Sequence, residues 1–332
     1  MDLSYYIIFF VCSLLSLYLI QQISIKLNFY DFPSKEKVHK EKVTKSAGLA
    51  MIPVIILNFA FITYNFHIFY FLIFLIGLII LGFIDDVVNF NPSKKLFTLS
   101  LLLFFFALEI LKIDSLGFLF DKNLDLSVFS LPFSVLCFLL LINSFNYFDG
   151  LDGLLGSLSL ISLIYFLYFS NGQLFFFLIS IVIYLIVFLF FNFGILPKQF
   201  MGDSGSLGLG FIVSFLATYT SQIEMTIKPS FIIWPLAFFV YEFLTINLIR
   251  IKLKKNIFLK DLNFVFNIFA FRYGQFNAVG ICILIQLFFC LNGIILENFK
   301  LDELSIILFC LYFIFYLILR FKQFNKYAKK NK

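Results

Sequence analysis

Almost the whole length of the chain is a succession of apolar runs, broken by short polar junctions. The runs cover about residues 5–25, 47–63, 68–84, 96–113, 131–142, 154–169, 174–191, 206–220, 231–249, 278–296 and 304–321. A helix needs about 20 apolar residues to cross the roughly 30 Å hydrocarbon core of a bilayer. A mean hydropathy of +1.01 and a charged content of only 13% exclude a water-soluble globular domain, since such domains carry about 25% charged residues. The expected fold class is therefore an all-α integral membrane protein with about 11 transmembrane helices. Run 131–142 is short, so its helix is expected to continue into the Asn-rich stretch behind it. The first run has no basic leader and no small-residue cleavage site, and reads as a retained span. The 332 residues read as a single multi-span domain, with 322–332 as a basic tail.

Charge placement orients the spans. Of the 25 lysines and arginines, all but Lys112, Lys122, Lys228 and Lys300 fall on one side of the predicted spans. Cytoplasmic loops carry the excess of Lys and Arg. The N-terminus is therefore expected outside and the C-terminus in the cytoplasm. Such a basic face attracts anionic lipid headgroups, and no nucleic acid partner is expected. The five cysteines, Cys12, Cys137, Cys282, Cys290 and Cys310, all lie in apolar runs without CxxC spacing. Thiolate metal sites are not expected.

Three junctions on the expected cytoplasmic side are acidic. A charge within an apolar helix costs about 2.5–3.5 kcal/mol on insertion scales, so carboxylates at a membrane edge call for a partner. The first junction is Asp85-Asp86, closing run 68–84. Adjacent carboxylates repel, and a hard cation that takes oxygen ligands relieves that repulsion; a solvated helix end beside Lys94 and Lys95 is the bland alternative. Asn91-Pro92 is a helix-start signal. It places Lys94 and Lys95 in a first turn, where they oppose the helix dipole. An anionic ligand or an interfacial role both account for that placement.

The second junction runs from Asn143 to Leu154 and holds Asn143, Asn146, Asp149 and Asp152. If the turn is helical, Asp149 and Asp152 share a face. Carboxamides that both donate and accept suit a base, ribose or amide group. The third junction is Phe200-Met201-Gly202-Asp203-Ser204-Gly205-Ser206-Leu207-Gly208. Its small residues allow close backbone approach to a ligand, and the helix start behind it favours phosphate. Close helix packing would use the same small residues.

Taken together, these stretches resemble one family, the polyprenyl-phosphate N-acetylhexosamine-1-phosphate transferases of the glycosyltransferase 4 type. The matching segments are Gly82-Phe83-Ile84-Asp85-Asp86, Asn143 to Leu154, and Phe200 to Gly208. Lys37-Val38-His39, Gly48-Leu49-Ala50 and Lys95-Leu96 also fit, so the likeness covers nearly the whole chain. It is closer to the enzymes that initiate O-antigen, common-antigen and teichoic-acid synthesis than to phospho-MurNAc-pentapeptide transferase.

The resemblance implies transfer of an N-acetylaminosugar 1-phosphate from a UDP-sugar to undecaprenyl phosphate. UMP would leave, and the step would initiate a cell-surface glycan. It implies Mg2+, with Mn2+ as a substitute, at the cytoplasmic face of a bacterial inner membrane. Asp203 and Asp86 would be metal ligands, and Asp85 or Asp86 would position the metal or the lipid phosphate. Asp149 and Asp152 match the family's second essential pair, with Asp149 as the expected catalytic carboxylate. Asn143, Asn146 and Gly202 would meet nucleotide or sugar. Lys95, Lys40 and Lys198 would neutralise diphosphate oxygens, and His39 would contact substrate. A homodimer is compatible with the family.

Two departures stand against a standard member. The family usually carries His-x-His-His after an Asp in the last large cytoplasmic loop, whereas here Phe264, Phe266 and Asn267 follow Asp261. Lys42, Thr44 and Ala47 stand where Pro, Pro and Gly are usual. The alternatives are a member with changed sugar specificity, or an inactive scaffold or transporter. Segment 256–276 is expected to lie at the membrane surface over the site.

Overall fold

The computed structural model describes residues 3–33, 41–61, 65–119, 122–254 and 263–330. Its helices in chain order are α1 (Leu3–Lys26), α2 (Ala47–Asn58), α3 (Phe66–Val88), α4 (Pro92–Glu109), α5 (Ser130–Phe148), α6 (Leu154–Phe169), α7 (Gly172–Asn192) and α8 (Gly202–Gln222). There follow the short turn α9 (Pro229–Ile232), then α10 (Ala237–Lys252), α11 (Val265–Tyr273), α12 (Gln275–Asn298) and α13 (Asp302–Lys330). Among the described residues there are also two small antiparallel pairs: β1 (Tyr30–Asp31) with β2 (Val43–Thr44), and β3 (Ser115–Leu119) with β4 (Lys122–Asp125).

Every run expected to span carries a helix, but the helices are not alike. Among the described residues, 7 helices are long and apolar enough to cross a membrane. The remaining four runs fall on α2, α4, α6 and α8. Helix α2 has 12 residues, about 18 Å at 1.5 Å per residue. Helix α6 has 16 residues. Helix α4 carries Lys94, Lys95 and Glu109, and α8 is rich in Gly, Ser and Thr. Helix α5 does continue from the short run through Asn143 and Asn146, as expected.

Helix α8 is the axis of the bundle. It is buried over nearly its whole length, and its small residues are the reason its neighbours can come so close. A Cβ at Gly210 would stand 2.7 Å from the Ile142 backbone of α5, and one at Gly208 would stand 3.0 Å from the Ile79 side chain of α3. Further along, Phe71 and Phe215 stack with ring centroids 3.8 Å apart. Local capping follows the sequence. The Asn91 side chain accepts the Ser93 N–H at 3.2 Å with Pro92 opening α4, and Asn65 accepts Ile68 N–H at 3.1 Å to open α3.

The break between α9 and α10 is satisfied from other helices, as a lipid environment requires. Pro235 has no N–H to offer the carbonyl four residues back. That carbonyl, on Phe231, instead accepts the Tyr165 hydroxyl at 2.8 Å. The Pro235 carbonyl accepts Ser162 at 3.0 Å and Gln286 at 2.8 Å.

The turn that carries Asp149 and Asp152 is not helical, so the two do not share a helical face: α5 ends at Phe148 and α6 begins at Leu154. Gly153, at φ +78°, turns the chain through a left-handed conformation that glycine adopts without steric cost. The expected surface segment 256–276 is described only from residue 263 on. There α11 buries Val265, Phe266 and Asn267 and leaves Phe271 and Tyr273 exposed.

Candidate active site

The last turn of α3 crosses the first turn of α8. Gly82 makes this crossing possible, since a Cβ there would stand 2.6 Å from the Ser204 Cα. The crossing sets Asp86 against the start of α8, where unpaired N–H groups and the helix dipole favour a negative charge. Its carboxylate accepts Asp203 N–H at 2.8 Å and Ser204 N–H at 3.4 Å. Gly202 sits at φ +72°, and a Cβ there would lie 2.8 Å from the Asp86 Oδ2. Position 202 thus requires glycine for both conformation and space.

Asp85 faces the other way. One of its oxygens accepts Phe90 N–H at 2.8 Å and the other meets the Lys95 ammonium at 2.8 Å. Lys95 also donates to Asp203. Its place in the first turn of α4, unfavourable for the dipole, is thereby explained by two carboxylates. The other Asp203 oxygen accepts Asn146 Nδ2 at 2.9 Å, and the same amide donates to Ser206 Oγ at 2.9 Å. Lys45, just before α2, completes the cluster at 3.3 Å from Asp86 and 3.7 Å from Asp31. Burial pulls the Lys45 ammonium toward neutrality, but Asp86, Asp31 and Asp203 outweigh it and hold its pKa above the usual lysine range. Lys45 is therefore a fixed cation at neutral pH.

A second group adjoins the first through α5 and the α7–α8 connection. Asp149 is exposed at the end of α5, one turn beyond Asn146. Asp152 pairs with Lys198 at 2.5 Å. The Gly153 N–H donates to Asn192 Oδ1 at 2.5 Å, and Asn192 Nδ2 donates to the Gln199 carbonyl at 2.9 Å. The Gln199 side chain donates to Ser46 Oγ at 2.7 Å. The Phe200 N–H donates to the Thr44 carbonyl at 2.8 Å, and the Ala47 N–H donates to the Phe200 carbonyl at 3.1 Å. These bonds strap the connection carrying Lys198 to the start of α2. Asn143 stays apart from the cluster, its amide donating to the Leu139 carbonyl of its own helix at 2.7 Å. His39 and Lys40 lie outside the described residues.

Three acidic junctions far apart in sequence thus meet at one end of the bundle. Asp85, Asp86, Lys95, Asn146, Asp203 and Gly202 form one connected cluster, and Asp152 with Lys198 lies beside it. Sequence reasoning missed Lys45 as a partner of Asp86. The signal was present, since Lys45 precedes an apolar run just as Lys95 does.

Among the described residues no group of three or more His, Cys, Asp or Glu side chains is arranged to hold a metal ion. Two lysine ammonium groups already stand between the carboxylates. The acidic donors are nevertheless all oxygens, the chemistry a hard cation takes. Mg2+ is commonly held by one or two carboxylates together with substrate phosphates, and this donor set fits that mode.

The residues at the expected histidine positions have a packing role instead. Phe264 and Phe266 are buried and stack on one another at 5.2 Å. Phe266 packs on Phe148 and against Gly150. Asn267 is buried as well.

Residues 68–221 match the family described as Glycosyl transferase family 4. A relative from Bacillus subtilis (strain 168) is described as "Probable undecaprenyl-phosphate N-acetylglucosaminyl 1-phosphate transferase". It is 29% identical over 357 aligned positions, covering 98% of this chain and 96% of the relative. The matched family segment holds all three acidic junctions and stops short of α10 and α11.

Proposed function

We propose, from the match of residues 68–221 to glycosyl transferase family 4, that the chain is a member of that family and transfers an N-acetylaminosugar 1-phosphate from a UDP-sugar to undecaprenyl phosphate. The observation that carries this reading is the meeting of Asp85, Asp86 and Asp203 with Lys45, Lys95 and Asn146 at one end of the bundle. A phosphate oxygen of the lipid attacks the β-phosphorus of the nucleotide sugar. One phosphoric anhydride bond breaks as another forms, and UMP leaves. Phosphate monoesters have a second pKa of about 6, so the attacking group is ionised at neutral pH and needs no general base.

The protein's task is charge neutralisation and alignment. Lys95 and Lys45 would meet diphosphate oxygens, with Lys198 at the margin. Asn146 and Gly202 would border the same substrate, and Asp149 would offer an exposed carboxylate at the end of α5. Asp203 and Asp86 would hold Mg2+, which would supply Lewis-acid stabilisation of phosphate charge. The site would lie at the cytoplasmic face of a bacterial inner membrane, with the N-terminus outside. The lipid-linked product would start a cell-surface glycan.

A changed nucleotide grip is the second reading, favoured by the burial of Phe264, Phe266 and Asn267. A transporter would place its ionisable groups near the membrane midplane, unlike this cluster at helix ends. The test is a panel of radiolabelled UDP-sugars with undecaprenyl phosphate and Mg2+, reading UMP release. One UDP-N-acetylaminosugar is expected to give lipid-dependent UMP; none doing so would overturn the proposal.

A further inference from the structure

Among the buried charged side chains of the described residues, two pair with one another inside apolar runs. Glu242 in α10 and Arg320 in α13 form an ion pair, with side chains only 1% and 2% exposed. The pair is bidentate, with Arg320 Nη2 at 2.9 Å and Nε at 3.0 Å from the two Glu242 oxygens. Tyr316 donates to the same carboxylate at 2.5 Å. A buried pair of this kind is costly to desolvate and is weak evidence for stability alone.

Its other bonds say what it holds. Glu242 accepts the Val265 N–H at 2.7 Å, so a carboxylate caps the start of α11. Arg320 donates to the Asn263 carbonyl at 2.6 Å. Between these two anchored residues lies Phe264, whose ring packs on Tyr147 at 5.2 Å. Phe266 follows, 5.4 Å from Phe148, with its edge 3.0 Å from where a Cβ at Gly150 would be. Tyr147, Phe148 and Gly150 flank Asp149 and follow Asn146 in α5 and its terminal turn.

The geometry points to Glu242 and Arg320 as positioning residues that latch the start of α11 onto the end of α5, so that the C-terminal helix fixes the stretch bearing Asn146 and Asp149. The inference rests on the transferase reading for its kinetic consequence, but its geometric content can be tested without substrate.

The experiment compares the full chain in lipid nanodiscs with Glu242→Met/Arg320→Met, which leaves no lone buried charge, and with Arg320→Lys. Lysine keeps the charge and gives up the planar fork that serves both Glu242 and Asn263. Chymotryptic cleavage after Phe264 and Phe266, read by mass spectrometry, reports release of the latch. Cleavage is expected to rise about ten-fold in the double variant and less in Arg320→Lys. In UMP-release assays the KM for UDP-sugar is expected to rise about ten-fold, with the KM for undecaprenyl phosphate unchanged.

If the double variant does not fold, Arg320→Lys decides the matter alone. Wild-type cleavage and an unchanged KM in a folded variant would overturn the latch. Absence of UMP release from the wild type would overturn the transferase reading instead, and the cleavage result would still judge the latch.

Discussion

The Asp86 carboxylate accepts the backbone N–H of Asp203 at 2.8 Å, across 117 residues of chain. This bond ties the end of α3 to the start of α8 and brings two acidic junctions into one site. The close passage at Gly82 and the left-handed Gly202 are its structural preconditions.

Removing charge from Asp203 tests the cluster first. Asp203→Asn is expected to lower UMP release about a hundred-fold or more, as loss of a group acting on developing charge does. Membrane insertion and yield should persist. Steady-state turnover in nanodiscs checks this.

The crossing at Gly82 gives a steric prediction. Gly82→Ala places a methyl 2.6 Å from backbone atoms of Asp203 and Ser204, which cannot swing aside as a flexible side chain can. Overpacking of this kind costs about 1–3 kcal/mol. A lower Tm together with reduced turnover is expected, read by thermal shift and by UMP release.

Lys45 gives a pH prediction. Its folded-state pKa is raised, because the lowering effect of burial is outweighed by Asp86, Asp31 and Asp203. A cationic group with a raised pKa contributes stability that is fully present below its unfolded pKa and is lost as pH rises through its folded pKa. The Tm difference between wild type and Lys45→Met should therefore stay constant from about pH 8 to 9, where its carboxylate partners are ionised, and shrink only above the lysine value of about 10.4. Thermal unfolding across that range checks it.

Lys198 separates stability from function. Its pair with Asp152 is a quarter to a third exposed, and exposed pairs contribute about 0–1 kcal/mol. Lys198→Ala should leave Tm nearly unchanged. If Lys198 meets diphosphate oxygens, the KM for UDP-sugar should rise about ten-fold, read in the same assay.

Much of this was legible in the sequence because apolar runs and carboxylates obey strong constraints in a membrane. The helical runs, the Asn91-Pro92 start and the three acidic junctions all followed from that. The turn at Asp149 to Gly153 did not, since i, i+3 spacing cannot distinguish a helix from a turn closed by glycine. Lys45 carried the same signal as Lys95, a lysine ahead of an apolar run, but its pairing with Asp86 was hidden because the two are far apart in the chain. Glu242 and Arg320 were hidden for the same reason, each reading as an isolated charge within or near the end of an apolar run.

The most direct test of the central claim follows phosphorus through the reaction. UDP-N-acetylglucosamine labelled with radioactive phosphorus at the β position is incubated with undecaprenyl phosphate, Mg2+ and the protein, and lipid is extracted. Sugar 1-phosphate transfer predicts that the β-label passes into the lipid phase while UMP appears in water. A β-label that stays in water as UDP, or a lipid phase without label for every UDP-N-acetylaminosugar tried, would contradict the account.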